Sequence, residues 1–237
     1  MNTTLVINSK GGSGKTTITT SLASYFAANG VPTAVMDYDP QGSSLNWLRV
    51  RDPLAPKIHG ANAAPQKVGL RSFGRMVPEG TRQLIIDAPA GASGVLLQEM
   101  LDRAHCILVP VVPSPIDLHA TANFLRELVS YNRLRSGSAR LAVVANKVRR
   151  SMPVYRPFEG FLASLGLKLL ARLIDSDTYF RAAESGVGIF EMDENLSVSE
   201  RKQFSPIIDW VEDRQAPPAA TGDGVVYELA RRSAYAP

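Results

Sequence analysis

The sequence predicts an α/β fold, a mostly parallel, twisted sheet with helices on both faces. Short apolar runs, largely β-branched, recur at residues 5–7, 34–36, 84–86, 107–112 and 141–145. They lack the in–out alternation of a strand with one wet face, so both faces are expected to be covered. Longer segments with helical spacing separate them, which is the pattern of βαβ units. A length of 237 residues suits one large domain that buries its own core. The expected division is one ordered domain over 1–214 and a flexible tail over 215–237.

The elements follow in order. A first strand over 4–8 comes directly after Met1, leaving no charged leader or cleavable apolar segment, so a cytoplasmic location is expected. The first helix, over 14–29, stops near Gly30 with Pro32 beyond it. Residues 52–66 hold three prolines and several small residues and read as an irregular excursion. A helix over 116–134 places Leu118, Ala122, Leu125 and Val129 on one buried stripe. A later helix over 199–212 carries Phe204, Ile207, Ile208 and Val211; Pro206 lies inside it, and a split is expected there. The tail opens with the linker-like string Ala-Pro-Pro-Ala-Ala-Thr-Gly-Asp-Gly, and 225–235 could form a short helix with Val225, Val226 and Leu229 on one side.

Composition excludes several classes. Hydrophobic residues at 45% and charged residues at 20% are ordinary for a folded globular chain. The single cysteine, Cys106, sits in an apolar run and reads as a core thiol, leaving no disulfide framework and no cysteine-rich metal site. His59, His105 and His119 lack ligand spacing, and Trp47 and Trp210 read as core or interface aromatics. No stretch approaches the ~20 apolar residues that span a bilayer. Net charge is +4, yet between Arg126 and Arg150 seven basic residues face the one acid Glu127, a local excess of +6 that leaves −2 for the remainder. Such an excess suits a polyanion, although a solvated helix face would look the same.

The densest chemistry lies between the first strand and first helix, in Ser9-Lys10-Gly11-Gly12-Ser13-Gly14-Lys15-Thr16. A loop that turns its backbone N–H groups inward at a helix start binds crowded phosphate oxygens with few cationic side chains. Gly11, Gly12 and Gly14 permit the turn, Lys15 can reach the β and γ phosphates, and the Thr16 hydroxyl can hold Mg²⁺. Ser13 and Thr17 complete the expected nucleotide contacts. Asp87, ending an apolar strand beside this loop, is placed to hold Mg²⁺ through a water. ATP and Mg²⁺ are therefore the expected cofactors of a P-loop NTPase.

The common loop has glycine where this chain has Ser9. With Lys10 before Gly-Gly, the string resembles the deviant Walker A pattern Lys-Gly-Gly-x-x-Lys-Thr of the ParA/MinD family of ATPases. Asp37-Tyr38-Asp39-Pro40-Gln41-Gly42, Leu84-Ile85-Ile86-Asp87-Ala88-Pro89, the segment 111–117 with Pro113-Ser114-Pro115, and Asn146 are also similar to family positions. The likeness covers most of residues 1–212.

That resemblance implies roles. Asp39 matches the switch aspartate that positions the attacking water, Asp37 is expected near the metal, and Asn146 could read the adenine edge. Lys10 matches a lysine that reaches across a face-to-face homodimer to the partner's nucleotide. It further implies slow ATP hydrolysis accelerated by a partner. In the ParA branch the ATP dimer binds double-stranded DNA without sequence preference, and Arg149 and Arg150, then Arg172 and Arg181, are the candidate contacts. Stretches such as Gly42 to Trp47, Ile58-His59-Gly60 and Ala182 to Glu191 resemble the McdA branch, which distributes carboxysomes. An McdB-like or ParB-like adaptor is the expected partner, with plasmid or chromosome segregation the close alternative cargo. A MinD-like membrane switch would need an amphipathic tail helix, and 225–235 carries few large apolar residues, so no stable membrane association is expected. A nitrogenase-like relative would need more cysteines, and a small-molecule kinase or amidoligase would show substrate-stimulated turnover without DNA.

Overall fold

The computed structural model describes the chain at residues 1–64, 76–113, 115–149 and 156–212, with no side chains described at 115–120 and 156–157. The tail over 215–237, its 225–235 segment, Ser114 and Arg150 lie outside the described residues. Seven strands form one sheet: β1 (Asn2–Val6), β2 (Thr33–Asp37), β3 (Ile58–Asn62), β4 (Gln83–Asp87), β5 (Cys106–Val111), β6 (Arg140–Val148) and β7 (Leu169–Ile174). Their order is β3-β2-β4-β1-β5-β6-β7, and every pairing is parallel. The connections run α1 (Lys15–Ala28), α2 (Ser43–Val50), α3 (Gly94–Arg103), α4 (Pro115–Ser130), α5 (Asn132–Arg135), α6 (Arg156–Ser164), α7 (Asp177–Glu184) and α8 (Glu194–Val211).

Two cores sandwich the sheet because successive strand residues point to opposite faces. Leu5 and Ile7 join Leu97, Met100, Leu125, Leu128 and Leu162 on one face, whereas Val6 joins Ile18, Leu22, Phe26, Phe204 and Ile207 on the other. Cys106 is 1% exposed, as a core thiol should be. Strand order reverses at β1, which has β4 on one side and β5 on the other. The crevice outside the carboxyl ends of strands at such a reversal is where open α/β sheets bind ligands.

Three local expectations need correction. The excursion over 52–66 contains β3, an edge strand with only Ala61 buried, so its pattern is too polar for an apolar-run criterion. Helix 116–134 breaks into α4 and α5, because Tyr131 between them has an extended backbone. Pro206 does not split α8: it lies on the exposed face, where water can serve the carbonyl left without an N–H partner.

Candidate nucleotide site

The loop from Ile7 to Gly14 is built by bonds that tie it to β5, to β6 and to the turn after β4. Asn8 Nδ2 donates to the Pro110 carbonyl at 2.7 Å, and Gly91 N donates to the Ser9 carbonyl at 3.0 Å. Asn146 Nδ2, from β6, donates to the Ser13 carbonyl at 2.8 Å. Asn146 comes so close to Gly14 that a Cβ there would lie 1.9 Å from Nδ2, and Gly14 also has φ 92, so both space and backbone demand glycine. Gly14 is the N-cap of α1, with no side-chain cap and no acid in the first turn. The helix start thus keeps its positive end and amide donors for an anion.

Side chains complete the cradle. Lys15 is 7% exposed and its Nζ donates to the Lys10 carbonyl at 3.2 Å. Burial lowers its pKa, opposed by the charges of Asp87 and Asp39. Thr16 Oγ1 donates to Asp87 Oδ2 at 2.9 Å. Asp87 lies beside Val6 of β1 on one side and Asp37 of β2 on the other, so two carboxylates share one level of the sheet. Burial, then the Asp37 charge, push the Asp87 carboxyl up to about 7. Its Oδ1 is buried without a hydrogen-bond partner. An orphaned carboxylate oxygen in an electronegative pocket beside Thr16 fits a divalent cation. Among the described residues no group of three or more His, Cys, Asp or Glu side chains could hold a metal; magnesium ordinarily shares its coordination with phosphate and water.

Asp37 has a different task from the one its neighbourhood suggests. Oδ2 accepts from Ser44 N, Ser44 Oγ at 2.7 Å and Leu45 N, while Oδ1 accepts from Asp39 N at 2.9 Å. The carboxylate therefore caps α2 and shapes the loop that carries Asp39. Asp39 is half-buried, and its own Oδ1 accepts from Gln41 N. Lys10 and Thr17 are half-buried at either end of the phosphate loop, whereas Gly11 and Gly12 are exposed.

A cleft of about 470 Å³ continues from the loop, lined by Thr17, Asn146, Lys147, Asp177, Tyr179 and Phe180 among others. Its wall comes from β6 and α7. Lys147 is the one described non-glycine residue with positive φ, at 54, and the β6–β7 register shifts between Ala145 and Val148. That bulge turns Asn146 toward the loop. With Nδ2 given to Ser13, Asn146 Oδ1 is left as an acceptor. Ser176, Asp177 and Phe180 went unread in the sequence; the Ser-Asp helix start, in which Ser176 Oγ accepts from Thr178 N, is the signal that could have found them.

The basic window is not one patch. Arg140 opens β6 and donates to the Trp210 carbonyl, and Arg133 donates to the Asp102 and Ser138 carbonyls. Lys147 and Arg149 lie at the opposite end of β6, roughly 25 Å away at ~3.3 Å per residue. Arg149 is exposed, Arg172 is ion-paired with Glu159, and Arg181 is exposed in the last turn of α7.

Residues 4–189 match the pattern of the CobQ/CobB/MinD/ParA nucleotide binding domain. "Maintenance of carboxysome distribution protein A" of Halothiobacillus neapolitanus is 25% identical over 195 residues, 80% of this chain and 87% of the relative. The protein of the same name from Gloeobacter kilaueensis is 28% identical over 189 residues, 78% of this chain and 82% of the relative. The crystal structure of the Pyrococcus furiosus cell division ATPase MinD superposes with a TM-score of 0.69 at 18% identity, covering 90% of this chain and 99% of that one. With a phosphate cradle at the end of β1 and a family match spanning most of its length, the chain belongs to the CobQ/CobB/MinD/ParA family of nucleotide-binding proteins.

Proposed function

We propose that this chain is an McdA-like positioning ATPase. ATP joins two copies in a sandwich dimer, the dimer holds nucleoid DNA without sequence preference in the cytoplasm, and an McdB-like adaptor on carboxysomes triggers hydrolysis. The observation that carries the reading is the Lys10-containing loop in a chain whose relatives over about four-fifths of its length bear the carboxysome-distribution name.

The residues divide the work. Amides at the start of α1 and the Lys15 ammonium hold the β and γ phosphates, so developing negative charge meets donors already aimed at it. Thr16 and Asp87 would hold magnesium, which would supply positive charge against the phosphates. Asp39 orients the attacking water, and Asp37 keeps Asp39 in place by accepting its backbone N–H. Asn146 Oδ1, as an acceptor, favours the adenine amino group over the guanine carbonyl. Lys10 reaches the partner copy's nucleotide, so loss of the γ phosphate loosens the dimer.

Purified protein is tested for binding to unrelated double-stranded DNA at low and moderate salt, without nucleotide, with ADP and with ATP–Mg²⁺. Retention with ATP alone, lost as salt rises and absent in an Arg149→Ala/Arg150→Ala variant, is expected. No DNA binding in any state overturns the nucleoid reading. Turnover stimulated by a ParB-like adaptor and not by an McdB-like one would move the cargo from carboxysomes to a plasmid or chromosome.

A further inference from the structure

A buried ion pair outside the phosphate site joins two segments that the site itself uses. Arg51, directly after α2, holds Glu191 through both terminal guanidinium nitrogens at 2.8 and 2.7 Å, with side-chain exposures of 6% and 10%. Arg51 also donates to the Gly186 and Pro56 carbonyls, and its guanidinium stacks on Trp47 at 4.9 Å. Glu191 additionally accepts from Gly188 N at 2.9 Å, and Trp47 Nε1 donates to the Val187 carbonyl at 3.3 Å.

The backbones around the pair are pressed together. A Cβ on Gly186, which has φ 63, would lie 2.6 Å from Arg51 N, and one on Gly188 would lie 1.7 Å from Ser24 Oγ on α1. Residues 186–191 therefore cannot slide over α2 without breaking the pair. Apolar side chains would fill such a space at least as stably, so a buried pair here gains geometric registry more than stability.

Both ends of this connection reach the nucleotide site. α2 is fixed at its start by Asp37, whose carboxylate also positions Asp39, and at its end by Arg51. Residues 186–191 continue from α7, whose Asp177 and Phe180 line the cleft beside Asn146. One packed path thus runs from the cleft wall through Glu191 and Arg51 to α2 and the Asp39 loop.

We infer that Arg51 and Glu191 are positioning residues that tie the Asp39 loop to the cleft wall, so that a nucleoside in the cleft stiffens α2 even when no γ phosphate is present. The inference rests on the nucleotide-site reading above. Coupling of this kind needs a physical chain with two ends that a ligand can bias. ADP and inorganic pyrophosphate separate its parts, because both offer two phosphates to the loop and only ADP fills the cleft.

The test is amide hydrogen exchange of the full chain with Mg²⁺ and saturating ADP or pyrophosphate. In the wild type, ADP slows exchange across Asp177–Glu184 and Ser43–Val50, the latter by about fivefold, the low end of ordinary coupling, while pyrophosphate slows the phosphate loop alone. In Glu191→Gln, ADP still protects Asp177–Glu184 and no longer protects Ser43–Val50. Arg51→Lys, which keeps the charge and loses the two-pronged fork, behaves likewise. Equal protection of Ser43–Val50 by ADP and pyrophosphate in the wild type overturns the inference without any variant, as does undiminished protection in both variants. Absence of ADP protection even at the phosphate loop instead overturns the nucleotide-site reading on which the inference stands.

Discussion

At the scale of single residues, Lys15, Asp39, Asp87 and Asn146 have separable expected effects. Lys15→Ala removes the cation among the phosphates and is expected to abolish nucleotide-dependent behaviour, measured as loss of fluorescent-nucleotide binding. Asp39→Ala is expected to trap an ATP-bound dimer on DNA; release at the wild-type rate would end its assignment to the water. Asn146→Ala leaves the Ser13 carbonyl without its donor, a loss of about 1–3 kcal/mol, and is expected to weaken ATP binding about tenfold or more by titration calorimetry. Asp87 links the site to pH. The folded protein holds its proton to about pH 7, whereas the free carboxyl titrates near 3.8. The folded state then binds more protons between these values, and stability falls as pH rises through that window. Without ligand, the wild type should melt at a higher temperature near pH 5 than near pH 8, and Asp87→Asn should flatten the difference.

At the scale of elements, α8 and the two edge strands carry the argument. α8 runs through Pro206 because Phe204, Ile207, Ile208 and Val211 bury one face against the sheet while the proline faces water. Replacing Pro206 by Ala restores the missing donor, worth up to ~3 kcal/mol in a helix interior, less the ~0.4–1 kcal/mol by which proline restrains the unfolded chain. A rise in the urea midpoint is expected. Phe204→Ala, at 0% exposure, should lower stability by about 3–5 kcal/mol. β3 and β7 were illegible from apolar runs for different reasons: β3 exposes His59, Gly60 and Asn62 at a sheet edge, and β7 interrupts its pattern with the solvent-facing Arg172. α2 is short, and its cap comes from Asp37, six residues before its first residue, Ser43.

At the scale of the whole molecule, the parallel sheet gathers β1, β2, β4 and β6 at one end, where the phosphate loop, Asp37, Asp87 and Asn146 meet. Ligand binding to that end alone must stabilise the fold by mass action: ATP–Mg²⁺ at 100 times its Kd should add about 2.7 kcal/mol, read as a concentration-dependent rise in melting temperature that Lys15→Ala lacks. The same polarity divides the basic window. Arg133 and Arg140 serve carbonyls at the far end, whereas Lys147 lines the cleft and Arg149 follows the same end of β6. A linear count of charge treats both ends as one surface.

The phosphate loop, its family and the α/β class were legible because they depend on local order: glycines, a lysine and a threonine at set spacing after an apolar strand. The Asp37-to-Asp39 segment and Asp87 were legible for the same reason, each closing a recognisable strand. Tertiary structure alone decided which groups meet. Asn146 reaches Ser13 across 133 positions, Arg51 reaches Glu191 across 140, and Asp37 spends its carboxylate on α2. Such partners are chosen by strand order and helix packing, which bring together residues that no local pattern relates.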